Sequence, residues 1–259
     1  MNKIIFIIIF QILAVSNIHS SDYSTKFNKL ENTNPQRILF IGNSYLYYND
    51  SLHNHFKRIV EEKKPNYDGS SNVKSATIGG SRLKHHNLDH LLTPKAISLV
   101  EKFDLVILQG GSGESQSKEE RKLFFEKAKE YINKIKSNGS EAALYMIHAY
   151  VEPHKNYDPN LIRVIEKMYV EAGKKNSTLV IPVGLAFENA YNKDPDIKLH
   201  KEDGTHPNLL GTYLAACVVY ASVYKDNPIG ISYDYFGSIN KEDKLFLQEI
   251  AYQTVQEFY

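Results

Sequence analysis

The sequence predicts a three-layer α/β/α sandwich around a central five-stranded parallel sheet. Two patterns indicate this fold: five short aliphatic runs, and longer amphipathic segments between them. Continuous apolar runs of this length are typical of strands that are buried on both faces. Strands that alternate with helices form a parallel sheet with helices on each side. With 259 residues, 42% of them hydrophobic, the chain is long enough for one such domain.

The elements follow in order along the chain. The predicted strands are residues 37–41, 73–78, 105–108, 142–147 and 179–183. The predicted helices are residues 52–63, 83–102, 118–137, 159–175, 206–224 and 241–258. In the third helix, apolar residues recur at spacings of three and four, and Gly139 follows its end. Residues 225–237 are rich in Pro, Gly, Asp and Tyr and are expected to form an irregular connection.

The first 21 residues have the layout of a secretory signal peptide. Lys3 provides a positive start, residues 4–15 are almost entirely apolar, and five of the next six are small or polar. The apolar run is shorter than the roughly 20 residues that a bilayer span needs. We expect cleavage near Ser16–Ser21, which leaves residues 22–259 as a single exported domain, periplasmic or extracellular. An uncleaved anchor is the alternative.

Charge and cysteine content exclude some partners. The 31 basic and 30 acidic residues nearly balance, and the sequence has no basic cluster of the kind that neutralises nucleic-acid phosphates. No later stretch is long and apolar enough to span a membrane. Cys217, the only cysteine, lies in an apolar run and is expected to be a small buried hydrophobic residue. The domain is therefore predicted to lack an internal disulfide bond.

A serine follows the first predicted strand. Residues 42–45 are Gly-Asn-Ser-Tyr and lead into a helical segment, which places Ser44 at or near the start of a helix. There the helix dipole favours developing negative charge. In parallel sheets, ligands bind beyond the carboxyl ends of the strands. Ser44 is therefore a candidate nucleophile, and a simple helix cap is the alternative.

An aspartate and a histidine lie three residues apart before a later predicted helix. Residues 203–208 are Asp-Gly-Thr-His-Pro-Asn. A carboxylate bonded to one imidazole nitrogen fixes the tautomer and leaves the other nitrogen free to take a proton. Asp203 and His206 are thus a candidate orienting group and base. The alternative is that Asp203 caps the helix and His206 faces solvent.

Two Gly-rich turns are expected at the same edge of the sheet. Residues 79–82 are Gly-Gly-Ser-Arg, and residues 109–114 are Gln-Gly-Gly-Ser-Gly-Glu. Glycine lets a backbone N–H approach a substrate oxygen with no side chain in the way, as an oxyanion hole requires. The second turn lacks the Gly-Lys-Ser/Thr ending of a phosphate loop. A tight turn without a catalytic role is the alternative for both.

Residues 38–45, 79–81, 104–109 and 203–208 together resemble the SGNH, or GDSL-type, hydrolases. They are similar in particular to a bacterial branch that begins with Gly-Asn-Ser and carries a Leu-Gln motif after the third strand. The resemblance covers about residues 37–224. It implies a three-layer α/β/α fold and ester hydrolysis through an acyl-enzyme, without a cofactor. Ser44 would match the nucleophile, His206 the base and Asp203 its orienting group.

The same resemblance implies an oxyanion hole with three donors. Two would be the backbone N–H groups of Ser44 and Gly80. The third donor in the family is an asparagine, which this sequence lacks. We expect the side-chain amide of Gln109 to replace it, with Ser112 as the less favoured alternative. One such donor lowers the barrier by roughly 3 kcal/mol, so the difference matters for the reaction rate.

Other polar residues are expected near the site. Asn49, Arg82 and His148 are candidate substrate contacts, although a buried structural histidine explains His148 equally well. His86 and His90 have the i, i+4 spacing of metal ligands on a predicted helix. Because nothing beyond a neighbouring aspartate completes such a site, we predict no metal and a solvated helix face.

The predicted function is an exported serine ester hydrolase that removes O-acetyl or other short acyl groups from a glycan. Export and nearly neutral charge favour a glycan ester. A lipase or thioesterase of the same fold is one alternative. A non-catalytic glycan-binding protein on an inherited hydrolase fold is another, because the oxyanion asparagine is missing.

Overall fold

The computed structural model describes residues 29–99 and 101–259. The predicted signal peptide and the domain boundary at residue 22 lie outside the described residues. Five strands form one parallel sheet with the order β2-β1-β3-β4-β5. The strands are β1 Ile38–Gly42, β2 Val73–Thr77, β3 Leu105–Gln109, β4 Glu141–Tyr145 and β5 Leu179–Ile181. The predicted sheet is confirmed.

Helices flank this sheet in two groups. In the described part of the chain they are α1 Ser44–Tyr47, α2 Leu52–Lys63, α3 Gly69–Asn72, α4 Leu88–Leu91, α5 Lys118–Ser137, α6 Leu161–Asn176, α7 Val183–Lys193, α8 Leu209–Tyr224 and α9 Lys241–Phe258. Helices α2 and α9 both pack against α8, whereas α5 packs against α6 and β4. The result is the predicted α/β/α sandwich.

Burial explains why the central elements have such uniform apolar sequences. Every residue of β1 and β3 is buried, as expected for strands with helices on both faces. Helix α8 is buried continuously from Gly211 to Tyr224, and its sequence is apolar on all sides. Cys217 lies fully buried within it. Among the helices in residues 29–99 and 101–259, none is long and apolar enough to cross a bilayer.

The helix predicted over residues 83–102 does not form. The chain there makes a short 3₁₀ turn at Leu83–His85, then the single turn α4 and further bends. The side chain of Asn87 caps α4 by accepting the N–H of His90, which starts a new helix in place of continuing one. Pro94 then lacks an N–H to donate. The apolar positions still face the core, but on separate short turns.

The predicted fifth strand, residues 179–183, is two residues too long, and helix α7 is absent from the predicted elements. The strand ends at Ile181, and α7 begins directly after Pro182. The apolar run continues without a break from the strand into the helix, so hydrophobicity alone does not mark the boundary. Proline is tolerated at the start of a helix, where its missing N–H would have no intrahelical acceptor.

Candidate active site

Ser44 is the first residue of α1 and lies directly after β1. Asn43, the N-cap, accepts the N–H of Tyr45 on its side-chain oxygen at 3.0 Å. Its amide nitrogen donates to the carbonyl of Ser81 at 3.0 Å. Its own N–H donates to the side-chain oxygen of Gln109 at 2.8 Å. Asn43 therefore holds Ser44 in place against the turns that follow β2 and β3.

Ser44, His206 and Asp203 lie in one line of hydrogen bonds. Nε2 of His206 is 2.9 Å from Oγ of Ser44, although the two residues are 162 positions apart. Nδ1 of His206 is 2.6 Å from Oδ2 of Asp203. An ionised carboxylate only accepts, so Nδ1–H donates to Asp203 and Nε2 accepts the serine hydroxyl. This is the arrangement in which a base removes a proton from a serine.

Asp203 carries its charge at neutral pH. Partial burial raises its pKa, but hydrogen bonds from the His206 ring and from the N–H groups of Thr205 and His206 outweigh this and lower the pKa to about 2. Both N–H groups donate to Oδ1 at 2.9 Å. The carboxylate is thus oriented by three donors, and it can stabilise a positive charge on the imidazole.

The loop that carries His206 is tied down on both sides of the histidine. Thr205 bonds to the Tyr45 hydroxyl at 2.7 Å through its own hydroxyl, and its carbonyl accepts from Nε2 of His148 at 2.8 Å. The carbonyl of Gly204 accepts the N–H of Val151 at 2.9 Å. Gly204 has a φ of +68°, and a Cβ there would lie 2.2 Å from the carbonyl oxygen of Val151. The loop therefore requires glycine at this position.

The structure corrects the prediction that His148 contacts the substrate. The side chain is 1% exposed and is stacked between Tyr45, at 4.2 Å, and Phe187, at 4.4 Å. Burial lowers its pKa well below the usual range, so the ring is neutral and donates from Nε2 to Thr205. Its Nδ1 has no hydrogen-bond partner within the described residues. His148 supports the His206 loop from the interior.

Asn49 and Arg82 are both engaged within the protein. The Asn49 amide donates to the carbonyl of Pro207 at 2.9 Å and to the hydroxyl of Thr212 at 2.8 Å. It links the segment after α1 to the start of α8, and because Asn49 stays partly exposed, its role toward a substrate remains a prediction. The Arg82 guanidinium makes two bonds to Glu120, at 2.7 and 2.9 Å. Because Arg82 stays partly exposed, its role toward a substrate remains a prediction.

Gln109 does not face the space beside Ser44, which corrects the prediction that its amide is the third oxyanion donor. The side chain is 1% exposed. Its oxygen accepts the N–H of Asn43, and its amide nitrogen donates to the carbonyl of Gly110. Both ends of the amide are therefore used inside the protein, at the junction of β1 and β3.

The turn after β2 has the conformation expected of a turn that offers a backbone N–H to a substrate oxygen. Gly80 has a φ of +66°, is exposed, and would have nothing within 4 Å of an added Cβ. The turn is closed by the N–H of Ser81, which donates to the carbonyl of Ile78 at 3.2 Å. The Ser81 hydroxyl bonds to the carbonyl of Gly42 and to Nε2 of His86. This anchoring fixes the turn beside the end of β1, and the role of Gly80 remains a prediction.

Ser112 opens a short 3₁₀ turn after β3 and is half-buried. Its hydroxyl lies close to the phenols of Tyr45 and Tyr150. Burial raises the pKa of each phenol, and Ser112 acts in the opposite direction on both. Tyr45 is also the residue next to Ser44 in the chain. Ser112 therefore lies in the same polar group as the Ser44 segment, on the side of Tyr45, whereas Gln109 bonds to the backbone of Asn43.

Two tyrosines that the sequence analysis did not single out also belong to the site. The Tyr48 ring lies 4.6 Å from the His206 ring, and the Lys201 ammonium lies 4.3 Å from the centre of the same tyrosine. Tyr47 stacks on Tyr48 at 5.3 Å and is exposed. The signal in the sequence was the aromatic run that begins directly after Ser44.

The histidines considered as metal ligands lie in the segment that follows the Gly80 turn. His86 is buried and bonds to the Ser81 hydroxyl at 3.0 Å, which corrects the expected solvated face. Asp89 pairs with Lys134 at 2.8 Å. Within residues 29–99 and 101–259, no three His, Cys, Asp or Glu side chains form a group that could hold a metal ion.

Comparison of the sequence with protein-family models and with curated proteins gives no match. Solved structures do match. A DUF4886 family protein from Bacteroides uniformis aligns with a TM-score of 0.67 and 18% identity, over 85% of this chain and 94% of that one. A proposed SGNH hydrolase from Slackia heliotrinireducens gives 0.58 and 21%, over 73% and 99%. The acetyl xylan esterase AlAXEase gives 0.57 and 18%, over 72% and 99%. The chain therefore has the fold of the SGNH hydrolases, as the sequence motifs predicted.

Proposed function

We propose that the protein is a serine ester hydrolase that works through an acyl-enzyme. The observation that carries this proposal is the line of bonds from Asp203 through His206 to Ser44. Both distances fall within normal hydrogen-bond range, and the three residues come from two distant parts of the chain. A hydroxyl, an imidazole and an ionised carboxylate in this order perform nucleophilic acyl transfer.

The first half of the reaction forms the acyl-enzyme. Oγ of Ser44 attacks the acyl carbonyl carbon while Nε2 of His206 takes the hydroxyl proton. The carbonyl oxygen becomes an oxyanion, and Asp203 stabilises the imidazolium. The C–O bond to the alcohol then breaks, and Nε2 returns the proton to the departing oxygen. The neutral alcohol leaves, and the acyl group stays on Ser44 as an ester.

The second half releases the acid. A water molecule attacks the acyl carbon, and Nε2 of His206 takes a proton from it. Collapse of the tetrahedral species breaks the bond to Ser44, which recovers its proton from the imidazolium. No net charge or proton is lost by the enzyme, and water supplies the oxygen of the released acid.

The oxyanion needs donors at the same edge of the sheet. We assign the N–H groups of Ser44, which begins a helix, and of Gly80, which lies within the exposed turn after β2. The third donor is the hydroxyl of Ser112, because the Gln109 amide is engaged elsewhere. A single donor of this kind is worth about 3 kcal/mol of barrier. Loss of the Ser112 hydroxyl should therefore lower kcat by roughly 100-fold.

The substrate we propose is a short acyl ester, such as an O-acetyl group, on a glycan. The acetyl xylan esterase among the structural neighbours supports this choice. A lipase or thioesterase is the rival, and the exposed apolar side chain of Ile78 beside the Gly80 turn favours it. The two differ in the length of acyl chain that they accept.

Hydrolysis of p-nitrophenyl esters of increasing acyl length tests both points. We expect the wild type to prefer acetate, Ser44→Ala to be inactive, and Ser51→Ala, a matched serine variant nearby, to retain activity. A preference for long chains would favour the lipase. Equal activity in Ser44→Ala and the wild type would refute the assignment, and inactivity of the wild type would favour the non-catalytic glycan-binding alternative.

We also propose that the chain is exported after cleavage of residues 1–21. The support is the composition of the N-terminal segment: one early lysine, an apolar run and a small polar end. Expression of the full chain in a bacterium, followed by N-terminal sequencing of the product outside the cytoplasm, tests this. A cytoplasmic product that still begins at Met1 would contradict it.

A further inference from the structure

A wide cleft lies beside Asp203, and neither Ser44 nor His206 is among the residues that line it. Its volume is about 1230 Å³, far more than an acetyl group requires. One wall is the segment after β4, from Val151 to Tyr157. The other wall runs from the end of α7 to Asn208. The mechanism above uses only the edge of this cleft, at Asp203.

Aromatic and proline rings form part of its lining. Tyr157 is 43% exposed, and Tyr191 presents a half-buried ring. The Tyr191 hydroxyl is bonded to Nδ1 of His200 at 2.7 Å and to the N–H of Leu199 at 3.2 Å, which fixes the ring in place. Pro153 adds a rigid apolar surface. Fixed flat surfaces of this kind pack against the C–H faces of sugar rings.

Charged side chains of both signs surround these rings. They are Glu152, Lys198, Lys201, Glu202 and Asp203, and all five are exposed. Two positive and three negative groups give the cleft no strong field of one sign, so it does not select a polyanion or a polycation. A long alkyl chain would gain nothing from these groups. A neutral ligand with many hydroxyls finds both donors and acceptors among them.

We propose that this cleft binds the neutral sugar units next to the acylated one, as a glycan subsite of the proposed esterase. The cleft begins at Asp203, which is two hydrogen bonds away from Oγ of Ser44. A chain of sugars with its ester at Ser44 extends past His206 into the cleft. The inference rests on the proposed function and names the class of substrate, a neutral oligosaccharide.

Binding is measured without turnover, in the full chain carrying Ser44→Ala. Calorimetric titration uses three neutral probes: xylohexaose, cellohexaose and mannohexaose. We expect at least one to bind, and Tyr157→Ala to weaken that binding by about tenfold, since loss of an aromatic contact and its buried area costs about 1.4 kcal/mol. Phe236→Ala is the matched control, because Phe236 is a more exposed ring, at 80%, that does not line the cleft. Phe236→Ala should bind the hexaose as tightly as the parent Ser44→Ala protein does.

The kinetic arm compares an acetylated form of the hexaose that binds with p-nitrophenyl acetate. The ratio of their kcat/KM values should fall about tenfold in Tyr157→Ala, mainly through KM. No binding of any hexaose, or equal binding by Tyr157→Ala, would overturn the subsite. Wild type that binds a hexaose but hydrolyses neither ester would instead refute the esterase, so the two failures are distinguishable.

Discussion

The hydroxyl of Tyr45 lies 2.7 Å from the hydroxyl of Thr205, so the residue after Ser44 is bonded directly to the residue before His206. These two residues are 160 positions apart in the chain. The bond joins the start of α1 to the loop before α8. It therefore fixes the distance between the proposed nucleophile and its base by a route separate from their own hydrogen bond.

Tyr45→Phe removes this bond, together with the contact between the phenol and Ser112, and leaves the ring stacked on His148. We expect the free energy of unfolding to fall by about 1 kcal/mol and kcat for p-nitrophenyl acetate to fall about fivefold, because the serine and the imidazole are held less closely. Tyr224→Phe is the control, since it loses phenol contacts with the carbonyl of Pro35 and with Tyr67, away from the site. Equal kcat values in the two variants would contradict the positioning role of Tyr45.

Asp203→Asn replaces the orienting carboxylate with a neutral amide of nearly the same shape. The amide favours the wrong imidazole tautomer and cannot stabilise the imidazolium, so kcat should fall by about 10³- to 10⁴-fold. Steady-state kinetics with p-nitrophenyl acetate measures this loss. Activity within a few-fold of the wild type would show that Asp203 only caps the turn.

The same variant changes the response to acid. The pKa of Asp203 is about 2 in the folded protein and 3.8 as its ordinary value, so its contribution to stability is present above pH 4 and is lost as the pH falls toward 2. The carboxylate is 45% exposed, so we expect a small effect. In urea unfolding, the gap in stability between wild type and Asp203→Asn should narrow from pH 6 to pH 2.5. A gap that widens would contradict the lowered pKa.

His148→Phe separates a structural role from substrate binding. Phenylalanine keeps the stack between Tyr45 and Phe187 but leaves the Thr205 carbonyl without its donor. The free energy of unfolding should fall by about 1–3 kcal/mol, while KM for p-nitrophenyl acetate stays within about twofold. Urea unfolding and kinetics measure both. A large rise in KM at unchanged stability would restore His148 as a substrate contact.

Because of Glu114, we expect the stability of the folded protein to depend on pH at the turn that carries Ser112. Burial raises the pKa of Glu114 to about 7, although the N–H of Gly111, which donates to the carboxyl group, acts in the opposite direction. The folded protein therefore holds this proton more tightly than the unfolded chain, in which the pKa is 4.5. The stability that this gives is fully present below pH 4.5 and is lost as the pH rises through about 7. In Glu114→Gln this loss of unfolding free energy between low and high pH should be smaller than in the wild type, by up to about 3 kcal/mol. Urea unfolding at pH 5 and pH 8 measures it, and an equal loss in both proteins would contradict the raised pKa.

The order and type of the buried elements were predictable because their hydrophobic patterns are strong. Helices 52–63, 118–137 and 241–258 agree with the structure in both bounds, since polar residues or caps mark their ends. The segment 83–102 was not predictable in this way, because periodic apolar residues occur there on successive short turns. Helix α7 was not predictable because its apolar residues continue directly from those of β5, so no change in hydrophobicity marks the boundary.

In the candidate site, the roles of residues inside the sequence motifs were easier to predict than the side-chain directions of residues at the ends of neighbouring strands. Ser44 and His206 could be expected to meet, because Ser44 follows a parallel strand at the edge where ligands bind and both residues lie in motifs that resemble one hydrolase family. The directions of Gln109 and His148 could not be derived, since the ends of β3 and β4 specify a position but not the side that a side chain faces. Partners distant in the chain, such as Asn43 for Gln109, decide that direction.

Covalent labelling with a fluorophosphonate tests the central claim most directly, because the reagent reacts with a serine only where a base activates it. After labelling of the wild type and digestion, mass spectrometry should find the adduct on Ser44, and labelling should disappear in Ser44→Ala and in His206→Ala. An adduct on a different serine, or undiminished labelling of Ser44 in His206→Ala, would contradict the account.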